Sequence, residues 1–392
     1  MKFLDLSGFM FSGKAAVIDL LREVDGFHVP DYRYEFPLLR VQDGIMDLEK
    51  ALVDDWSPIR SHAAIYRFKR LIRLMAKMPA AFLSLSDEQM VGWGYESIFS
   101  NRFVELSERY ISRLVRHEWD MWWPYQELMM STEELLEFRL AGSRYSRGTL
   151  GRAGSLALGM IQGPLSLFSM FVPFRVLLGL VSSFRQIWER ARQTESLENV
   201  RYFLGDGKEF VEATREFLEE LLTAGVNSQL VHTCVMHNGF EPFNPTRALK
   251  YFNSAKCIVV DRDPRDIFMT SVSYSEGFND RVNRYKRIAG AHDIGLFIDR
   301  FKIYRRNIHR EAESEHTVMR MRFEDLIYHY EETLTKLYNF LEVDSRAHKR
   351  KREFFSPEVS KRNTRLWENS ESDVSESIKR IESELGEYCF EY

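Results

Sequence analysis

Residues 3–24 read FLDLSGFMFSGKAAVIDLLREV: an apolar strand, a glycine loop and an amphipathic helix in direct succession. Gly8, Gly13 and Lys14 meet the spacing G-x-x-x-x-G-K of a phosphate-binding loop, with Ala15 where that motif carries Ser or Thr. The electrostatics of the loop survive the loss of the hydroxyl. Glycines let backbone N–H groups turn toward an anion, and the helix N-terminus and the lysine add positive potential. What is lost is the oxygen that would hold Mg²⁺ on a nucleoside triphosphate. The expected cradle runs through Phe11, Ser12, Gly13, Lys14, Ala15 and Ala16, and suits a nucleotide whose chemistry does without that metal.

Working outward, 392 residues are enough for two domains, or for one α/β core with a large insertion. The net charge of −4 argues against a surface built for nucleic-acid backbones. Three scattered cysteines, Cys234, Cys257 and Cys389, fit neither a disulfide framework nor a zinc site, and suit a reducing compartment. No charged n-region with an apolar run and cleavage site opens the chain, so the cytoplasm is the expected location.

The pattern divides the chain in three. Residues 1–60 read as strand, loop and helix followed by the polar, aromatic stretch HVPDYRYEFPLLR. Residues 61–200 form a helical insertion, with helical apolar spacing in RFKRLIRLMAKM and NRFVELSERYISRLVRHEW. Residues 201–392 return to α/β: LVHTCVMHN and AKCIVVD suit buried parallel strands, and ESIKRIESELGEY suits a last helix. The expected architecture is α/β, a three-layer parallel sheet with a P-loop-like nucleotide-binding core and a large helical insertion. Within the insertion, Ser155 to Phe174 carry no charge and are flanked by arginines, with Gly159, Gly163, Pro164 and Pro173 interrupting. That segment reads as a buried hairpin or oligomer contact, as a peripheral attachment to the inner membrane face, or, from its 20-residue length, as a span.

A second motif lies in KCIVVDRDPRDIFMTSVSY, residues 256–274. A buried strand ends at Asp261, Arg262 leaves its carboxyl end, and the following helix carries Thr270 and Ser271. Ligands of open α/β sheets collect at such strand ends, where a guanidinium forks phosphate oxygens and a helix hydroxyl adds a donor. An Arg–Asp surface network in a helix-initiating turn is the plainer alternative.

The two motifs together resemble the nucleotide-binding segments of the sulfotransferases that use 3′-phosphoadenosine 5′-phosphosulfate (PAPS). In that family an N-terminal strand–loop–helix holds the 5′-phosphosulfate and a strand–Arg–helix–Ser unit holds the 3′-phosphate. MRFEDLIYHYEETLTKLYNFLEVD, residues 321–344, resembles another family segment. The stretch from Val359 onward resembles its C-terminal loop, so Lys361, Arg362 and Arg365 are expected to reach the 3′-phosphate. The resemblance covers about residues 1–40 and 230–392 and points to the bacterial, glycan-directed branch. It departs at the loop, where Phe11 takes the place of the family's lysine and Lys14 follows Gly13.

The resemblance implies metal-independent, in-line transfer of a sulfuryl group from PAPS to a hydroxyl of a glycan or lipid-linked saccharide. Such a transfer needs a base for the acceptor's proton and cations on the leaving phosphate. Lys14 is expected to serve the phosphate. Glu35 is the first candidate base, because glycan-directed relatives carry a catalytic glutamate there; its neighbours Tyr32, Tyr34 and Phe36 are expected to raise its pKa. His237, at the end of LVHTCVMH, is the second. Two other readings remain: a P-loop kinase for a small molecule, which Ala15 opposes, and a non-catalytic nucleotide-binding partner in polysaccharide assembly.

Overall fold

The computed structural model describes residues 1–30, 35–77, 93–120, 128, 199–277, 284–369 and 372–392. The uncharged segment 155–174 lies outside them, as do Tyr32, Arg33 and Tyr34. The described strands are β1 (Lys2–Gly8), β2 (Phe27–His28), β3 (His117–Asp120), β4 (Asn199–Tyr202), β5 (Thr233–His237), β6 (Ala255–Asp261) and β7 (Val318–Arg322). The helices used below are α1 (Lys14–Arg22), α2 (Pro58–Ala76), α3 (Phe103–Leu114), α4 (Gly207–Leu222), α5 (Pro264–Gly277), α6 (Ile294–Arg306), α7 (Phe323–Tyr328), α8 (Tyr330–Leu341) and α9 (Ser372–Leu385).

Five strands form the central sheet in the order β2-β5-β1-β6-β7, with every pairing parallel. The expected mixed α/β core is therefore present. Leu6 stands opposite His237 on one side and Ile258 on the other, and Asp261 stands opposite Arg322. Because all five strands run the same way, Gly8, His237, Asp261 and Arg322 end at one edge of the sheet.

Alternation along β1 explains how its two faces are used. Leu4 and Leu6 join Val235, Ile258 and Val260 beneath Val17, Ile18, Leu20 and Leu21 of α1, and Leu334, Leu337 and Leu341 of α8 complete this core. The opposite face carries Phe3, Asp5 and Ser7, all buried. Two polar groups there tie the chain after β5 to β1. Gly239 N–H donates to Asp5 Oδ1 at 2.7 Å, and Ser7 Oγ donates to the Phe240 carbonyl at 2.6 Å. Burial pushes the Asp5 carboxyl up to about 6. At the carboxyl edge a second core joins Ile267 and Phe268 of α5, Phe297, Ile298 and Phe301 of α6, and Ile378, Ile381 and Leu385 of α9.

The chain forms two compact units, Met1–Asp47 with Val211–Tyr392, and Leu48–Phe210. The first contains the sheet. The second contains α2 and α3, with Phe68, Tyr95, Phe103, Tyr110, Phe203 and Phe210 buried. Its β3 and β4 pair antiparallel, an addition to the helices expected there. Ser61 Oγ accepts from the Phe203 N–H at 3.1 Å, so α2 fixes the chain leaving β4.

Candidate active site

The loop after β1 is shaped by space. Gly13 caps α1 at φ 81°, and a Cβ there would meet the Phe323 ring at 2.5 Å. A Cβ on Gly8 would lie 2.3 Å from Ser12 Oγ. Only glycine fits either position without displacing a neighbour. Phe11 adopts φ 58° and packs against the carboxyl-edge core. Ser12 Oγ is buried and finds no protein hydrogen-bond partner. Ala15 is exposed on the first turn of α1, while Ala16 leans on the main core.

Lys14 turns toward the segment that follows β2. Its Nζ lies 3.3 Å from Glu35 Oε1, and Asn238 Nδ2 donates to Glu35 Oε2 at 3.0 Å. The Phe36 N–H donates to the His237 carbonyl at 2.7 Å, which brings Glu35 to the end of β5. Lys14, Glu35, His237 and Asn238 thus converge at the carboxyl edge. The expected rise in the Glu35 pKa is not found. Burial raises it, but the Lys14 charge, the Asn238 hydrogen bond and the nearby His237 outweigh burial and hold it below the ordinary glutamate range. Burial is the largest single influence on this carboxyl, and the cation, the amide and the imidazole offset it only in combination. His232 precedes β5 at the other end of the strand, with its ring beside Gly26.

Arg262 is buried at the end of β6 and gathers three parts of the chain. Nη1 donates to the Phe11 carbonyl and to Thr270 Oγ1, each at 3.1 Å, and Nη2 donates to the Asn363 carbonyl. Its guanidinium stacks 5.3 Å from the Phe323 ring centroid, and its buried Nε has no protein acceptor. Of the two helix hydroxyls, Thr270 meets the arginine. Ser271 is buried and donates to the Ile267 carbonyl at 2.7 Å, within its own helix.

The C-terminal basic residues divide. Asn363, between them, contacts Arg262, whereas Lys361 lies 5.5 Å from the Tyr328 ring centroid and Arg362 is exposed. Arg365 Nε donates to Glu368 at 2.7 Å, and the Arg365 and Leu366 N–H groups donate to Asp266 at 3.2 and 2.9 Å. Asp263 accepts from Arg265 and from the Phe390 N–H, so the turn after β6 holds both ends of the α9 region. Burial pushes Asp266 up to about 6 and Glu324 up to about 7. Asp261, the one strand-end acid singled out in the sequence, is paired with Arg305 at 2.5 Å.

Asn238, which holds Glu35 Oε2, is not among the residues that the sequence singles out. Its only trace is the dipeptide Asn238-Gly239 after a buried strand, a turn signal rather than a site signal.

Residues 181–347 match the model of a sulfotransferase family. The matched stretch includes β5, β6, Arg262, β7 and α7, and excludes the loop after β1; its first part, residues 181–198, lies outside the described residues. The match supports the sulfotransferase family, sulfuryl transfer as the general chemistry, and in general terms a PAPS-like sulfonate donor. Comparison with curated proteins gives no match. Among solved structures, the sulfotransferase domain from the curacin biosynthetic pathway is similar at 16% identity, covering 53% of this chain and 73% of that one, with a TM-score of 0.26.

Proposed function

We propose that this chain transfers a sulfuryl group from PAPS to a hydroxyl of a glycan or lipid-linked saccharide. The observation that carries the reading is the meeting of Lys14 and Glu35 at the carboxyl edge of the sheet that also presents Arg262 and Thr270. The residues present fit such a donor. Ser12 Oγ and Arg262 Nε are buried polar groups without protein partners, and an anionic ligand would satisfy them. PAPS supplies the sulfuryl group and a phosphate that accumulates charge as the group departs.

Lys14 and the N–H groups at the start of α1 stabilise that charge. Glu35, ionised at neutral pH, accepts the proton of the attacking hydroxyl. Lys14 then has two roles, holding Glu35 before the donor binds and neutralising the phosphate afterwards. Arg262 and Thr270 hold the 3′-phosphate, with the basic stretch Lys361, Arg362 and Arg365 beside it. The cytoplasm is the location we favour. Among the described residues no helix is long and apolar enough to cross a membrane.

Calorimetry with 3′-phosphoadenosine 5′-phosphate in the presence of a chelator tests the nucleotide site. The wild type should bind it more tightly than ATP or AMP. Arg262→Ala removes a charge-assisted fork and should weaken binding by about 2–4 kcal/mol. Undiminished affinity in that variant would remove the 3′-phosphate assignment.

A further inference from the structure

Asn238 stands one residue beyond β5 in a left-handed backbone conformation, φ 61°. For an L-residue that conformation costs energy, and asparagine tolerates it better than most. Here the backbone is held from several sides. The Asn238 N–H donates to the Leu6 carbonyl at 2.9 Å, and Arg40 Nε donates to the Asn238 carbonyl at 2.9 Å. Arg40 also reaches Glu241 Oε1 at 3.1 Å, and the next residue, Gly239, is pinned to Asp5. A clamp of this kind leaves the side chain little freedom. The side chain itself is buried, with Nδ2 3.0 Å from Glu35 Oε2 and Oδ1 finding no protein partner.

We propose that Asn238 is a positioning residue for sulfuryl transfer: its clamped amide fixes the Glu35 carboxylate beside Lys14. This rests on the sulfotransferase reading above. A carboxylate is an acceptor only, so it can be oriented only by donors. Lys14 supplies a flexible ammonium on one oxygen, and Asn238 supplies a fixed N–H on the other. Among the described residues, the charged and titratable groups that act on Glu35 include Lys14 from α1 and His237 from β5. Asn238 is the neutral member of the set. Its contribution therefore survives when Lys14 turns to the donor phosphate, whereas that of the lysine is then divided.

Two variants test this without unsettling the backbone. Asn238→Gly keeps the left-handed conformation and deletes the amide; Asn238→Asp keeps size and conformational tolerance and sets a second carboxylate against Glu35. Carbon-13 labelling of glutamate side chains allows the Glu35 carboxyl to be titrated by NMR, its resonance identified by its loss in Glu35→Gln. The expected result is a Glu35 midpoint displaced to higher pH in Asn238→Gly and further in Asn238→Asp. In Asn238→Gly, affinity for 3′-phosphoadenosine 5′-phosphate should stay within about twofold, while label transfer from sulfur-35 PAPS to a cell extract falls about 10-fold. A further loss from Asn238→Gly in a Glu35→Gln background would contradict action through Glu35. If the wild type transfers label and the midpoint is unmoved in both variants, the proposal alone is overturned. If the wild type neither binds the nucleotide nor transfers label, the sulfotransferase reading fails and the proposal fails with it.

Discussion

At Glu35 four influences meet on one carboxylate, and their relative size decides its chemistry. Desolvation alone would favour the protonated form, yet the Lys14 ammonium at 3.3 Å, the Asn238 amide and the nearby His237 together favour the charged one and prevail. A base held ionised in this way is ready at neutral pH and fails only when the solution is acidic enough to protonate it. Turnover should therefore be flat around neutrality and decline below the ordinary glutamate range as pH falls through the depressed Glu35 pKa. Glu35→Gln preserves shape but accepts no proton, so turnover should drop about 10²–10⁴-fold with nucleotide affinity barely changed. His237→Asn run through the same two assays separates the candidates. A large loss there, with Glu35→Gln near wild type, would transfer the base role to the histidine.

Among the elements, α1 does more than present its N-terminus to an anion. Its last residue position is followed by Glu23, fully buried, which accepts from the N–H groups of Arg352, Phe354 and Phe355 at 3.0, 2.8 and 2.7 Å and meets His348 Nε2 at 2.6 Å. One carboxylate thus fixes the basic stretch that follows α8. Glu23→Ala strands those donors in the interior and should destabilise the protein by about 3 kcal/mol or more, read as a lowered urea midpoint. An unchanged midpoint would mean that water replaces the carboxylate. The sequence made some elements legible and hid others for physical reasons. The β1–loop–α1 unit and β6 announce themselves because strands buried on both faces read as apolar runs bounded by turn residues. By contrast β2 is two residues long, and β7, VMRMR, hides its strand character behind Arg320 and Arg322. Those arginines are tolerated because Arg320 pairs with Glu313 just before the strand and donates to the distant Pro242 carbonyl, and Arg322 donates to the distant Cys389 carbonyl. Lys14, Glu35 and Arg262 could be singled out by residue type and position. The left-handed turn at Asn238 and the back-bonded hydroxyl of Ser271 could not, since both depend on the surrounding backbone.

Over the whole molecule, the sheet unit assembles its candidate site from five separate stretches: the loop after β1, the segment around Glu35, the chain leaving β5 at His237 and Asn238, the turn after β6, and the chain near Asn363. Arg262 joins the first, fourth and fifth of these, and Glu35 joins the second to the first through Lys14 and to the third through Asn238. The family match, which begins at residue 181, takes in the arginine motif but not the loop. The central claim is that these stretches act together in sulfuryl transfer. It is tested most directly by incubating the purified protein with sulfur-35 PAPS and a cell extract under chelation, then separating the labelled products. The account predicts a labelled acceptor that forms with the wild type and is lost with Glu35→Gln, while both proteins bind 3′-phosphoadenosine 5′-phosphate alike. Tight nucleotide binding with no transfer of label to any component of the extract would contradict it.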